Sequence, residues 1–143
     1  MYEALSRMIS QDPNNPAMEL KNPVFLDSAN LEDLSQLRKH VTKSCNLLLL
    51  LTPGVLSRPW CLVEIATAWN QGVSIVPVEV QRSGMSFKYP DEIFYQKLMS
   101  GKFLSKGDEQ LLSDEGLRLA DVETSIRQVF TQIALPFSPH KSK

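Results

Sequence analysis

Residues 47–51 are five consecutive leucines and residues 73–78 read Val-Ser-Ile-Val-Pro-Val, with one helix-length segment between them. Aliphatic runs this short are strands, and a connection of that length makes the crossover of a parallel pair. Within the connection, Ser57 or Arg58 stands in the capping position, Pro59 suits the first helical turn, and Gly72 suits the end. A strand, helix, strand unit with near-continuous aliphatic strands dictates a layered α/β fold with a parallel sheet.

The helix predicted in that unit has two faces. Leu62, Ile65, Ala66 and Trp69 recur at helical spacing and form an apolar stripe expected on the sheet. Trp60, Glu64, Thr67 and Gln71 fall on the opposite side, expected in solvent. Trp60 and Glu64 are four apart, so their side chains stand one above the other. They lie close to the helix start and to the carboxyl end of a strand, where open α/β sheets bind ligands. The same spacing also fits an aromatic ring covering the preceding loop beside a solvated acid, which is the commoner arrangement.

The remaining segments alternate in the same way. Tyr2, Leu5 and Ile9 share a helical face that ends at the breaker cluster 12–16. Residues 23–27 read as a short buried strand ending in Asp27, which either caps the following loop or serves a site. Ser28, Ala29 and Asn30 form that loop, and Asn30 can cap a helix from Leu31 through Val41 with Asp33 in the capping-box position. Residues 46–52 are expected as an inner strand covered on both faces. After a strand at 74–80, residues 81–90 read as an exposed loop. A short helix is expected over 91–99 with Ile93, Phe94 and Leu98 inward, and a short edge strand at 102–104. Leu119, Val122, Ile126, Val129, Phe130 and Ile133 predict a final helix over 117–134, stopped by Pro136 and Pro139. The domain is thus expected over 1–135, with 136–143 as a tail.

Several chemistries are excluded. The formal net charge is −1, with basic residues gathered only in the last few positions, so nucleic acid is not an expected partner. Neither a dinucleotide fingerprint nor a P-loop is present. His40 and His140 stand apart from other ligand-type residues, which suggests no metal site and no triad. Ser57 lacks the Gly-x-Ser-x-Gly elbow of a hydrolase nucleophile. Cys45 and Cys61 have no redox or metal spacing and fit a reducing compartment. No basic-then-apolar leader opens the sequence, and no apolar run is long enough to span a bilayer. A soluble cytoplasmic protein without membrane insertion is therefore expected.

Four segments together resemble a Toll/interleukin receptor homology (TIR) domain. These are Val24-Phe25-Leu26-Asp27, then Leu47-Leu48-Leu49-Leu50-Leu51-Thr52-Pro53, then Ser57-Arg58-Pro59-Trp60-Cys61-Leu62-Val63-Glu64-Ile65, and finally Gly72-Val73-Ser74-Ile75-Val76-Pro77-Val78. The resemblance covers residues 24–80 and is generic beyond them. It implies a flavodoxin-like three-layer TIR-type fold, N-terminally truncated, because the family's first strand (Asp-x-Phe-Ile-Ser-Tyr in kind) has no counterpart before Tyr2. It also implies a self-associating signalling domain in innate-immunity-type pathways, with homotypic or heterotypic TIR partners. In enzymatic members a Glu on this helix cleaves NAD+, which is substrate rather than cofactor, and the match assigns that role to Glu64. Trp60, Asp27 and Ser57 would then contact the substrate, and Ser28, Ala29, Asn30 and Leu31 would form the association loop. The alternative implied by the same family is a non-catalytic adaptor. A further alternative is an unrelated flavodoxin-like domain that shares one crossover unit.

Overall fold

The computed structural model describes residues 36–138. The strand expected at 23–27, the loop Ser28–Leu31 and the terminal residues 139–143 lie outside that range. The chain divides into two compact units, Met1–His40 and Val41–Lys143. Helix α1, Leu37–Lys43, runs across the division.

The second unit is built on a parallel sheet in the order β1 (Asn46–Leu51), β2 (Ser74–Val80), β3 (Leu135–Phe137). Leu47 faces Ile75 and Leu51 faces Glu79 in one pair, and Val78 faces Leu135 in the other. Pro77 lies one residue before the stretch of β2 that pairs with β3. There β2 is still open on its β3 side, a position that tolerates a residue without an N–H.

Both crossovers run the same way across the sheet, and right-handed connections then put their helices on one face. The first crossover is α2 (Pro59–Asn70). The second carries α3 (Glu92–Met99), α4 (Lys106–Asp114) and α5 (Leu119–Val129). α2 packs on α5, α4 and β2, as that rule requires. Leu49 and Leu51 point into this shared core with Leu62, Ile65, Val122 and Ile126.

The opposite face of β1 explains a correction. The all-leucine run is expected to be covered on both sides, yet Leu48 is 42% and Leu50 is 37% exposed. Among the described residues β1 is an edge strand, and the crossover helices cover only one of its faces.

Local chemistry sets the helix ends. Pro59 occupies the first turn of α2 after an extended Arg58. At the other end Gly72 adopts a φ of 71°, Val73 N–H donates to Ala68 O and Gly72 N–H to Trp69 O, the paired bonds of a Schellman stop. Asp91 caps α3 by accepting from Phe94 N–H at 2.9 Å, and Ser105 caps α4 by accepting from Asp108 N–H at 3.1 Å.

Three further expectations change. Residues 102–104 form no strand; they lead into α4, whose sequence Lys-Gly-Asp-Glu-Gln-Leu-Leu-Ser-Asp holds too few apolar residues to show a helical period. In α3 it is Tyr95 that turns inward with Leu98, whereas Ile93 is 61% exposed. The last helix ends at Val129, not at 134. Residues 135–137 then pair with β2, where Pro136 sits on what is an edge strand among the described residues, which can do without its N–H.

Candidate functional site

The route from β1 to α2 is short and fixed. Val55 N–H donates to Thr52 O at 3.1 Å, and Gly54 takes a φ of 79°, which lets the chain reverse into a 3-10 turn at Val55–Ser57. Val55 and Leu56 are buried under this turn, so the start of α2 is anchored to the core. Of the two capping candidates, Arg58 takes the position, without a side-chain bond, while the Ser57 hydroxyl donates to Gly54 O at 2.7 Å and closes the turn.

α2 then begins with Trp60 and Glu64 on its first two turns, at the carboxyl end of β1. Both are half-buried, and the apolar part of Trp60 packs against the core. At i,i+4 on a regular helix their Cβ atoms are about 6 Å apart. The arrangement offers an aromatic plate and a carboxylate to one side of the helix, a pairing suited to a flat or cationic group.

The rest of that helix departs from the expected two-faced pattern. Leu62, Val63, Ile65, Ala66, Thr67 and Ala68 are all buried, because α4, α5 and β2 surround α2. Thr67, expected in solvent, is 2% exposed, and its hydroxyl finds no hydrogen-bond partner among the described residues. Trp69, expected on the sheet, is 44% exposed in the last turn. The accessible part of α2 is thus reduced to its N-terminal half around Trp60 and Glu64, plus its final residues. Asp27, Ser28, Ala29, Asn30 and Leu31 lie outside the described residues.

Compared with protein-family models and with curated proteins, the chain matches none of them. Among the described residues no helix is long and apolar enough to cross a membrane, and no group of three or more His, Cys, Asp and Glu side chains is placed to hold a metal ion.

A second polar constellation was not anticipated. Tyr89 Oη donates to Glu79 Oε2 at 2.8 Å at the carboxyl end of β2, beside the rings of Phe87 and Phe130. Burial and this bond to a carboxylate push the Tyr89 phenol above its ordinary pKa. The signal for it was Glu79, the single charged residue of β2.

Proposed function

We propose that this chain is a TIR-like signalling domain that self-associates and cleaves NAD+ through Glu64. The observation that supports this reading is the β1–α2–β2 parallel crossover, with Trp60 and Glu64, both half-buried, on the first two turns of the helix that follows β1. In the proposed reaction the bond from the ribose C1′ to the nicotinamide nitrogen breaks. Its electron pair goes to the pyridinium ring, which leaves as neutral nicotinamide. The oxocarbenium-like ribose is stabilised by the Glu64 carboxylate until a nucleophile adds at C1′. Trp60 supplies a flat wall for a ring. The partners are other TIR-like domains, and the setting is the cytoplasm.

Nicotinamide release from NAD+ at high protein concentration, measured beside Glu64→Ala, tests the reading. Release that disappears in a folded variant supports it. No release from the folded, self-associated wild-type chain overturns the enzyme.

The second reading is a non-catalytic module for homotypic assembly. The exposed Leu48 and Leu50 on the open face of β1 favour it, because an aliphatic sheet face is a natural contact surface. Self-association with no NAD+ turnover is its expected signature.

A further inference from the structure

A depression of about 320 Å3 opens at the carboxyl end of β2, and neither Trp60 nor Glu64 lines it. Its wall is formed by Glu79 on the strand, by Arg82, Ser83, Ser86 and Phe87 on the segment that follows, and by Ser138 just after β3. The carboxyl ends of parallel strands are where open α/β sheets leave room for ligands.

The walls are held in place. Arg82 and Met85 form an antiparallel bridge, Met85 N–H donates to Arg82 O at 3.1 Å, and Gly84 takes the φ of 74° that this turn requires. Gln81 N–H donates to Phe137 O at 2.8 Å, and Ser138 Oγ donates to Gln81 Oε1 at 2.8 Å, which ties the β3 side to the β2 side. The Phe87 ring is stacked on Phe130 at 5.9 Å and meets the edge of Tyr89 at 5.0 Å.

The polar groups are unequally engaged. The Glu79 carboxylate already accepts from Tyr89, and the Gln81 carbonyl from Ser138. Arg82 makes no ion pair or side-chain hydrogen bond among the described residues. The Ser83 and Ser86 hydroxyls and the Gln81 amide N–H groups add further donors. The lining thus holds one positive charge outside any ion pair among the described residues, with hydroxyl and amide donors near it, beside an aromatic ring.

We propose that this depression binds a small planar ring bearing one oxyanion, a phosphate or a carboxylate. Arg82 takes the oxyanion through its fork of N–H groups, which fits either kind. Phe87 takes the ring by offset or edge contact. Glu79 raises the cost of binding more highly charged anions. The site is independent of Glu64.

Titration of the full chain with phenyl phosphate, followed through backbone amide NMR signals, tests this. Shifts are expected at residues 79–87 and 138, with saturation in the millimolar range. Arg82→Ala is expected to weaken binding about tenfold, as loss of a charge-assisted bond does. Glu79→Gln, which keeps an acceptor for Tyr89 and removes a negative charge, is expected to tighten it. Inorganic phosphate, lacking the ring, is expected to bind more weakly. The same spectra report whether each variant is folded. Absence of shifts at millimolar phenyl phosphate overturns the proposal, as do shifts centred on α2 or unchanged in folded Arg82→Ala. Phosphate binding as tightly as phenyl phosphate overturns the role of Phe87. Weaker binding in Glu79→Gln, with benzylammonium binding instead, would make this a cation site and overturn it too.

Discussion

The Arg127 guanidinium carbon lies 3.8 Å from the centre of the Tyr95 ring. The same side chain reaches Glu92 at 3.0 Å and Glu123 at 2.9 Å, so a single residue of α5 holds α3 through a ring and a carboxylate. Isolated surface ion pairs contribute little, but a guanidinium that stacks on a buried ring and holds two carboxylates has much less freedom left to lose. Arg127→Met is expected to lower the Tm by roughly 3 °C. Arg127→Lys should recover only part of that, since an ammonium cannot both stack and bridge. Thermal unfolding followed by circular dichroism would measure the pair; a Lys variant as stable as wild type would remove the fork from the explanation.

Thr67 and Ser125 make an instructive contrast. Both are buried, yet Ser125 Oγ donates to Val122 O at 2.7 Å while the Thr67 hydroxyl has no partner among the described residues. A buried hydroxyl without a partner costs stability that an apolar group of the same shape does not. Thr67→Val is therefore expected to stabilise the fold by about 1 kcal/mol. Urea unfolding of the variant should show a higher midpoint at unchanged slope, and a lower midpoint would show that the hydroxyl is satisfied.

The two tryptophans should be separable by fluorescence. Trp69 is 44% exposed, whereas Trp60 is half-buried against the core. Acrylamide should quench Trp69 preferentially. In Trp69→Phe the remaining emission is expected to be bluer and less quenchable, with little loss of stability, because an exposed ring at the end of a helix has little packing to lose. Equal quenching of the two single-Trp variants would contradict the described burial.

Stability should fall at both ends of the pH range, for different reasons. Burial first, and then its bond to Glu79, raises Tyr89 above its ordinary value of 10.0. Its contribution is then complete below about pH 10 and is lost as pH rises through the folded value. Asp121 is held below its ordinary value of 3.8 by the Arg118 guanidinium first and the Arg118 N–H second, the latter at 3.0 Å. That contribution is present above the ordinary carboxylate range and is lost as pH falls through the folded value. Tyr89→Phe should flatten the alkaline limb and Asp121→Asn the acid limb of unfolding midpoint against pH. Variants whose limbs match wild type would show that other groups set them.

The central crossover was legible because its signals agreed: aliphatic runs at 47–51 and 73–78, a proline to start the helix and a glycine to end it. What misled was the assumption that a crossover helix has one buried face. Helical periodicity assigned Trp69 to the sheet and Thr67 to water, but it takes no account of α4 and α5 closing over α2 from the sides. The same blindness to neighbours made 47–51 look covered on both faces, since leucine content does not reveal which face a helix will cover. α4 was missed because its two leucines are outnumbered by charged and polar residues, and its caps rather than its periodicity define it. That Trp60 and Glu64 lie on the first two turns of α2 was readable from the segment bounds alone. The Glu79, Tyr89 and Phe87 grouping was not, since those residues meet only when the segment after β2 folds back.

Six of the seven residues from Leu62 to Ala68 in α2 are buried, all but Glu64, and both ends of the helix are fastened by backbone bonds. An element held this way is a fixed post, and Trp60 and Glu64 are mounted on it. A ligand or partner reaching these two side chains would meet them already in place, because the helix that carries them has no slack to move.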